Sequence, residues 1–534
     1  MTESIVDVAI VGGGVSGVYS GWRIVSADLK HSDVLGKIAD QKPDGKLNVH
    51  LYELSHRIGG RLMSITPPEM PGFKAEFGGM RFLTNQRVVR NLVDKLDLPI
   101  RFFPVGSPDN IYYLRGQHLR QREFTDPNKV PYHLSWQERG KSPADLIVAA
   151  IDTIIPGAAR LSPVEWQEVR QEFKFNGDYL YNQGFWNVLH QVMSSEAYKL
   201  LLDSGGYMTA LSNWNAAEAM EWFLIDFGPE AEYVQIVNGY ERLPQRLLTE
   251  FESAGGSVHY HHRLSHFEKL EGDENGPLLR LHFIDQPPVL ARHMVLAMPR
   301  RSLDLLNKSH TALLAEPAVQ DAIGSVTPQP MFKMFMCYRY PWWRDAGVQT
   351  GRSITDLPLR QTYYFDSEPD PGHYEPEIMD SLLMASYDDG QFVGFWTGML
   401  GQTSNIPGYQ PGDKLEPGSE MEWSQLEAPS IMVMHAQRQL KLVHDLEFIP
   451  DPYAAAYINW GCDPFGGAWN AWNVRAKAWE VQETMLQPSA EWPVYVCGEA
   501  YSSSQGWVEG ALQTAEQMLM DKFDIRTPNW LPMR

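Results

Sequence analysis

The sequence predicts an α/β protein, α+β overall, and three observations support this fold class. An apolar strand at Ile5–Val11 runs directly into a glycine-rich turn near the amino terminus. Residues 131–233 carry apolar positions at helical spacing, whereas residues 331–398 contain several strand-like runs. Because 534 residues exceed one ordinary hydrophobic core, we expect two or three domains built from interleaved segments.

The glycine-rich turn predicts a dinucleotide-binding site. Gly12 permits the tight turn out of the strand, Gly14 leaves room for backbone to approach a pyrophosphate, and Gly17 lets the next helix pack closely. Val15 and Ser16 precede that helix, which we predict over residues 18–27. The free N–H groups at a helix start favour phosphate binding.

A ribose-binding acid is predicted at Glu53, directly after a strand at residues 47–52. An acid in this position accepts hydrogen bonds from the hydroxyls of a nucleotide ribose. The separation from the glycines exceeds the usual value of about 20 residues, and we assign the excess to a loop or insertion at residues 28–46. An ordinary strand-end carboxylate is the alternative interpretation.

The remaining elements follow from their apolar periodicity. A helix is predicted at residues 88–98 and strands within residues 109–121. In the helical region, helices are predicted at residues 144–155, 163–173, 185–193 and 195–202. The chain then passes through residues 233–238 to a helix at residues 245–254, and returns to the nucleotide-binding sheet through strands at residues 257–266, 278–285 and 293–299. Strands at residues 331–338, 354–365, 381–388 and 391–398 predict a second, antiparallel sheet.

Composition argues against several classes of partner. The formal charge of −21 makes nucleic acid or an anionic membrane an unfavourable partner. Three scattered cysteines fit a reducing compartment and give no disulfide framework or CxxC metal site. At Met1–Ser4 we see no basic segment ahead of an apolar one, as a leader sequence would have. No apolar run reaches the roughly 18 residues of a membrane span. We therefore expect a cytoplasmic protein.

A metal site is not predicted from the histidines of residues 257–266. His259, His261, His262 and His266 crowd this predicted strand, but they lack a cysteine or carboxylate partner at ligand spacing. We interpret them as ordinary strand residues.

Four separated motifs resemble the flavin-dependent amine oxidase superfamily. They are the glycine turn, the Arg57–Arg61 stretch RIGGR, the GGMR stretch at residues 78–81, and the carboxy-terminal pair Gly498-Glu499 followed by residues 505–511. The GGMR form looks most like the L-amino-acid oxidase branch of that superfamily. The helical region is the part that the resemblance matches weakly.

The resemblance implies a Rossmann-like FAD-binding domain of the amine oxidase type, interleaved with a mixed-sheet substrate domain and a helical subdomain. The implied FAD-binding segments are residues 1–72, 234–330 and 455–534, the substrate segments are residues 73–130 and 331–454, and the helical subdomain is residues 131–233. The residues implied to bind FAD are Gly12, Gly14, Val15, Ser16, Gly17, Glu53, Arg57, Gly60, Arg61, Gly78, Gly79, Met80, Arg81, Leu264, Glu499, Trp507, Val508 and Ala511.

The same resemblance implies a substrate site beside the flavin. Arg81 would hold a substrate carboxylate with help from Tyr387, the Gly506 carbonyl would receive the amine, and Trp507 would form a wall. Lys333 matches the family lysine that holds a water against the flavin N5 atom. Exposure of Lys333 at a strand edge is the alternative interpretation.

These residues imply oxidative deamination of L-amino acids to 2-oxo acids, with ammonia and hydrogen peroxide as products. The partners implied are a small L-amino acid and oxygen, and a homodimer is expected. An amino-acid 2-monooxygenase, an amine or polyamine oxidase, and a flavin-free binding protein like the GDP-dissociation inhibitors are the alternatives. Arg81 disfavours the amine oxidases, because their substrates lack a carboxylate.

The substrate side chain is left open by the sequence. The 17 tryptophans favour an apolar or aromatic side chain, and Tyr363 or Tyr364 are further candidates for the pocket wall. Asp226, Glu232 or Asp463 could instead select a cation. Trp214 and Trp222 are more typical of core than of a pocket.

Overall fold

The computed structural model describes residues 5–227, 231–365, 379–400, 406–413 and 415–532. Met1–Ser4, on which the expectation about a leader rests, lie outside this range. The strands of the described residues are, in chain order, β1 (Ile5–Val11), β2 (Val49–Tyr52), β3 (Ser64–Ile65), β4 (Ala75–Glu76), β5 (Phe82–Leu83), β6 (Ile100–Phe102), β7 (Ile111–Leu114), β8 (Gln117–Arg120), β9 (Lys174–Phe175), β10 (Asp178–Tyr179), β11 (Tyr233–Ile236), β12 (Ser257–His259), β13 (Leu264–Asp273), β14 (Gly276–Phe283), β15 (Val289–Leu296), β16 (Val326–Gln329), β17 (Met331–Tyr338), β18 (Gly351–Thr355), β19 (Gln361–Tyr364), β20 (Ser381–Asp389), β21 (Ala454–Asn459), β22 (Trp469–Trp472) and β23 (Val494–Val496).

The α-helices of the same residues are α1 (Val15–Val25), α2 (Leu35–Asp40), α3 (Arg87–Lys95), α4 (Pro143–Ile154), α5 (Pro163–Glu172), α6 (Phe185–Val192), α7 (Ser195–Ser204), α8 (Ala216–Phe227), α9 (Arg242–Ser253), α10 (Arg300–Leu305), α11 (Ala312–Ala315), α12 (Pro317–Ile323), α13 (Gln391–Thr397), α14 (Ser430–His444), α15 (Ala478–Leu486) and α16 (Val508–Phe523).

The first large sheet contains the predicted nucleotide-binding strands. Its order is β12-β2-β1-β15-β14-β13, and β23 pairs with the carboxyl-terminal half of β15. β12, β2, β1, β15 and β23 run parallel, whereas β13 and β14 form an antiparallel extension. Helices α1, α9 and α16 pack against the parallel part through a buried cluster that includes Val18, Leu247 and Leu512. The doubly wound part is therefore assembled from the beginning, middle and end of the chain.

The second large sheet has the order β21-β17-β20-β19-β18-β7-β8 and is mixed. Its pairs are antiparallel except for β18 and β7. β17 lies between β20 and β21, and each of its eight residues is buried. Lys333 is therefore in an interior strand, and the strand-edge interpretation of this lysine is wrong.

The helical region, α4 to α8, packs on one end of the second sheet. Ser142 and Ser162 accept hydrogen bonds from the third residue of α4 and α5, and each helix begins with proline. Ile147, Leu189 and Met220 belong to its buried core, which also includes Ile354 of β18. This contact brings α8 and the segment after α7 toward the second sheet.

Two predicted segments have a different secondary structure. The predicted strand at residues 391–398 is wrong, because this stretch is helix α13, in which Val393 and Trp396 are buried at helical spacing. Residues 28–46, predicted as a loop, contain α2, whose Leu35 and Ile38 enter the core beside α1. Both helices are short, so their apolar period is hard to distinguish from a strand or loop.

Two predicted strands are each divided by a residue in the left-handed region. His261 has φ +57° and separates β12 from β13, which pair with different neighbours. Arg360 has φ +54° and divides residues 354–365 into the hairpin of β18 and β19. Non-glycine residues seldom adopt this conformation, and nothing in the residue types marks these positions.

One predicted segment boundary also differs from the structure. β21 lies in the second sheet, although most of it falls within residues 455–534, which were predicted to belong to the FAD-binding domain. Among the described residues, none of the helices combines the length and apolar character needed to cross a bilayer.

Candidate functional site

A cavity of about 560 Å³ lies at the carboxyl edge of the parallel strands. It is lined by the turn after β1, by Glu53 after β2, by Ala297 after β15 and by Glu499 after β23. Ligands of doubly wound sheets bind at this edge. The geometry thus brings together motifs that are hundreds of residues apart in the chain.

The glycine turn leaves a space that fits a pyrophosphate. Gly12 has φ +114°, and a β-carbon at Gly17 would lie 2.0 Å from the carbonyl oxygen of Gly12. A β-carbon at Gly14 would meet nothing within 4 Å and would point into open space beside the cavity. Helix α1 begins next to it without a side-chain cap and without an acidic residue in its first turn. Its first N–H groups are therefore suited to an anionic ligand.

Glu53 and Glu499 are both held in place by backbone N–H groups. Glu53 accepts hydrogen bonds from Gly13 N at 2.6 Å and Ser55 N at 2.8 Å. Glu499 accepts from Gly506 N at 2.8 Å and from Asn470 N at 2.9 Å. Both carboxylates line the cavity while they fix the loops around it.

Of the residues implied to bind FAD, thirteen line this cavity: Gly12, Gly14, Val15, Ser16, Glu53, Gly60, Arg61, Gly79, Leu264, Glu499, Trp507, Val508 and Ala511. Gly17 acts by packing, as described above. The Arg57 guanidinium lies outside the cavity lining and forms a buried ion pair with Glu241 at 2.6 Å. Arg57 also donates to the Gly60 carbonyl at 3.0 Å, so it supports the RIGGR turn rather than facing the cavity.

A second cavity of about 140 Å³ adjoins the first. The residues common to both linings are Arg61, Gly79, Ala468, Gly506, Trp507 and Val508. Gly78, Met80, Arg81, Lys333 and Tyr387 line only the second cavity. The predicted substrate residues are thus collected in one small space beside the start of α16.

Arg81 is a buried cation in this second cavity. Its side chain donates from Nη1 to the Tyr363 hydroxyl at 3.1 Å, and its Nε has no hydrogen-bond partner. The guanidinium also lies over the rings of Tyr233 and Phe103, at 4.8 and 5.3 Å from their centroids. Within the described ranges, no carboxylate lies within 4 Å of it. A buried guanidinium without an acid is costly unless a ligand supplies one.

Lys333 reaches the same cavity from β17. Its Nζ donates to the carbonyls of Glu76 at 2.9 Å and Gly78 at 2.5 Å, and it lies 4.6 Å from the centroid of the Tyr387 ring. Burial lowers the pKa of Lys333 to about 7, with opposition from Glu76 and reinforcement from Arg81. Lys333 can therefore exist as a neutral amine near neutral pH.

Aromatic rings form the cavity walls. Trp222 and Trp469 stack at 12° with centroids 5.9 Å apart, and the Trp507 ring stacks near Tyr233 at 26°. The Tyr207 ring meets Tyr387 edge-on at 5.4 Å. The helical region supplies Tyr207, Ala210, Trp222 and Asp226 to this lining. Trp222 therefore lines the cavity, whereas the sequence favoured a core position for it.

The three acids considered as cation selectors lie in different places. Asp226 lines the second cavity and accepts a hydrogen bond from the Tyr233 hydroxyl. Asp463 lines the first cavity and pairs with Arg301 at 2.7 Å. Glu232 is exposed and lines neither cavity.

Several contributors to the site were missed by sequence reasoning. Arg352 on β18 is 91% buried and donates to the Tyr363 hydroxyl at 3.2 Å. Tyr409 lines the first cavity and accepts from Arg57. No local motif marks either residue, and only the tertiary fold brings them here. Tyr363 contacts Arg81 without lining the cavity, whereas Tyr364 bonds Ser353 and His444 elsewhere.

The histidines do not form a metal centre. Within the described residues, no group of three or more His, Cys, Asp or Glu side chains has the geometry to hold a metal ion. His259 and His50 instead lie 3.0 Å apart beside Tyr52.

A family model described as flavin containing amine oxidoreductase matches residues 42–396, more than half of the chain. The chain belongs to the flavin-containing amine oxidoreductase family. The predicted fold class, the FAD cofactor and the oxidoreductase class are thereby confirmed. Membership also removes the flavin-free binding protein from the alternatives.

Relatives of this amine oxidoreductase cover most of its length. Aplysianin-A from Aplysia kurodai is 26% identical, with coverage of 98% of this chain and 91% of the relative. Achacin from Lissachatina fulica is 25% identical over 97% of this chain and 93% of the relative. An L-amino-acid oxidase from Crotalus adamanteus is 24% identical over 67% of this chain and 62% of the relative.

The solved structure of putrescine oxidase bound to putrescine has the same fold. It aligns with a TM-score of 0.65 at 15% identity and covers 97% of this chain and 99% of that one. At this identity the likeness concerns the fold alone.

Proposed function

We propose that the protein is an FAD-dependent L-amino-acid oxidase. The overall reaction converts an L-amino acid, oxygen and water into a 2-oxo acid, ammonia and hydrogen peroxide. When bound, FAD supplies the acceptor for the hydride that leaves the substrate Cα. The chain's own residues bind and orient the amino acid.

The observation that carries this proposal is Arg81. Its guanidinium is 8% exposed, has an unpaired Nε, and lies in the small cavity that adjoins the cofactor cavity. Guanidinium groups bind carboxylates through two parallel charge-assisted hydrogen bonds. A substrate carboxylate would provide the acid that the surrounding protein does not.

The rest of the cavity is suited to the α-amine and the Cα. Gly506 lines both cavities and its N–H is bonded to Glu499, and its carbonyl is the candidate acceptor for the amine. Trp507 and Tyr387 line the cavity; Trp507 would form one wall, and Tyr387 would add a hydrogen bond to the carboxylate. A dry, aromatic cavity disfavours an ammonium ion and thus supports the neutral amine that oxidation needs.

Val508 is the first residue of α16, and it lines both cavities. No side chain caps this helix start. A helix N-terminus favours negative charge, so this end of the cavity is suited to a cofactor that gains an electron pair.

The sequence relatives and the solved structure with the same fold act on different substrates, an L-amino acid in one case and putrescine in the other. The relatives that match the sequence include proteins named L-amino-acid oxidase, which supports an amino acid. Putrescine has no carboxylate, and a buried Arg81 would be destabilising in a diamine site. We therefore assign amino acids rather than diamines to this cavity.

Product analysis distinguishes the proposed oxidase from an amino-acid 2-monooxygenase. The purified protein is given a mixture of L-amino acids in air, and 2-oxo acid, ammonia, amide and carbon dioxide are quantified. The oxidase is supported by equal amounts of 2-oxo acid and ammonia. Formation of amide and carbon dioxide in their place would show that the monooxygenase is the correct assignment.

A further inference from the structure

Tyr363 lies between two buried guanidinium groups. The residue is on β19 and is 1% exposed. Its hydroxyl oxygen accepts hydrogen bonds from Arg81 Nη1 at 3.1 Å and from Arg352 Nη1 at 3.2 Å. Neither arginine has a carboxylate within 4 Å among the residues that the structure describes. One phenol oxygen therefore serves as the acceptor for two buried positive charges.

The Tyr363 hydroxyl is placed better as an acceptor than as a donor. Its own proton is directed to Gln361 Oε1 at 3.4 Å, which is longer than either bond it accepts. Gln361 Oε1 is also engaged by Arg352 at 2.6 Å. The hydrogen bond that the Tyr363 hydroxyl donates to Gln361 is therefore weak.

The surrounding charges act in the same direction. Burial raises the pKa of Tyr363, but the cations of Arg352 and Arg81 outweigh it and leave the pKa below its ordinary value. Asp226 on α8 is the nearby acid, and its carboxylate is bonded by the Tyr233 hydroxyl. The other titratable groups that face this cluster are Tyr112 on β7, Tyr207 after α7, Tyr387 on β20 and Lys333 on β17.

We propose that Tyr363 is a positioning residue whose phenol oxygen is the internal partner of Arg81, and that at alkaline pH, where Tyr363 is ionised, binding of the substrate carboxylate is coupled to uptake of one proton by Tyr363. This inference rests on the proposed function and deepens its carboxylate site. A carboxylate on Arg81 cancels one of the two charges that stabilise the phenolate. The phenolate then becomes more basic and binds a proton.

The proton balance suits an amino-acid substrate. The zwitterion arrives with an ammonium group, which must lose one proton before its Cα is oxidised. When one N–H bond breaks and one O–H bond forms on Tyr363, substrate and tyrosine exchange a proton without a change in the total charge of the site.

The sign of the pH dependence follows from linkage. Above the pKa of Tyr363 in the free enzyme, binding requires a proton that the protein no longer holds. The Kd for a carboxylate therefore rises tenfold per pH unit until the pKa of Tyr363 in the complex is reached.

The test uses hexanoate, a carboxylate that lacks the amine and cannot be oxidised at an amino carbon. Binding to the FAD-loaded protein is followed through the visible spectrum between neutral and alkaline pH. Proton uptake is measured with an indicator dye in weak buffer, and the near-ultraviolet phenolate band is recorded. Tyr363→Phe removes the hydroxyl, and Tyr364→Phe removes a buried hydroxyl that bonds Ser353 and His444 instead.

In the wild type and in Tyr364→Phe, the Kd for hexanoate should rise tenfold per pH unit. Binding should also take up one proton and remove the phenolate band. Above the pH range in which Lys333 loses its own proton, Tyr363→Phe should show a Kd that does not change with pH and no proton uptake. An equal slope and equal uptake in Tyr363→Phe would overturn the inference while the carboxylate site stands. Should Tyr363→Phe fail to fold, a wild type that binds hexanoate without losing its phenolate band overturns it. If hexanoate does not bind to the wild type, the carboxylate site and the inference both fail.

Discussion

At the scale of single residues, the proposed substrate class rests on Arg81. It is buried, it has an unpaired Nε, and its protein partner is the Tyr363 oxygen rather than a carboxylate. These properties fit a carboxylate ligand better than a purely structural role, because structural arginines such as Arg57 are paired with acids.

Replacement of Arg81 by methionine should lower kcat/KM for L-amino acids by roughly 10²–10⁴-fold. Two charge-assisted hydrogen bonds are lost, each worth about 1.5–3 kcal/mol. The measurement is the anaerobic rate of flavin bleaching against amino-acid concentration. Arg246→Met, an exposed arginine on α9, is the matched control and should keep wild-type values. Retention of kcat/KM within threefold in Arg81→Met would refute the assignment.

Lys333 should act mainly in the reaction with oxygen. Burial holds its pKa at about 7, so the ammonium form is lost as pH rises through that value. If its positive charge assists oxygen reduction, the rate at which oxygen restores the oxidised spectrum should fall across this pH range. Lys333→Met should lower this rate by roughly 10²-fold and remove its pH dependence. An unchanged reoxidation rate in Lys333→Met would contradict this role.

Residue identity predicted some of these contributors and not others. Lys333 stands out because it interrupts an apolar strand, and Arg81 because it follows paired glycines. Arg352 and Tyr207 lie in segments with no motif, and their proximity to Arg81 depends on how β18 and the helical region pack. Sequence patterns report the segment a residue belongs to, but not which distant segment it meets.

At the scale of secondary-structure elements, two substitutions in and after the glycine turn before α1 distinguish an effect on folding from an effect on cofactor binding. Gly17→Ala places a β-carbon 2.0 Å from the Gly12 carbonyl oxygen, whereas Gly14→Ala meets no protein atom within 4 Å. We expect Gly17→Ala to destabilise the protein even without FAD. Gly14→Ala should leave the apoprotein as stable as the wild type and weaken FAD binding, because its methyl group occupies the phosphate space.

Thermal unfolding of the apoprotein and fluorescence titration with FAD measure these two effects separately. Equal FAD affinity in Gly14→Ala and wild type would place the pyrophosphate elsewhere.

The long elements were predicted more successfully than the short ones. β1 and β17 were predicted as strands from continuous apolar runs, and both are strands whose residues are almost all buried. α13 has seven residues, and its buried Val393 and Trp396 fit either a helix or a bent strand. The structure shows why the helix forms: Trp396 stacks on Phe332 at 4° and donates to the Asp388 carboxylate.

At the scale of the whole molecule, the cofactor cavity joins three distant parts of the chain. Its lining comes from residues 11–79, 262–307 and 409–511. A ligand that fills the cavity therefore stabilises contacts among all three parts. The helical subdomain, whose role the sequence left open, completes the substrate cavity through Tyr207 and Trp222.

FAD should stabilise the folded protein more than FMN does. FMN lacks the adenosine monophosphate half, so the part of the cavity near Glu53 and Leu264 stays unfilled. At an FAD concentration of 100 times the Kd of FAD, the expected gain in unfolding free energy is about 2.7 kcal/mol. FMN at the same concentration should give a smaller gain, because its Kd is higher. Thermal unfolding of apoprotein with either flavin measures the difference. Equal stabilisation by both flavins would contradict a dinucleotide site.

The predicted dimer and the predicted cytoplasmic location stay predictions. Sedimentation equilibrium of the purified protein gives the oligomeric state directly, and a mass twice that of the 60.7 kDa chain is the expected result.

The central claim is that Arg81 and the adjoining cofactor cavity form a site for L-amino acids. Its most direct test is the visible spectrum of the purified protein, recorded without oxygen before and after addition of L-amino acids or D-amino acids. We predict a flavin band that bleaches with the L-mixture and persists with the D-mixture, and that bleaches roughly 10²-fold or more slowly with the L-mixture in Arg81→Met. A flavin band that the L-mixture leaves intact in the wild type would contradict the substrate assignment and leave only the cofactor site.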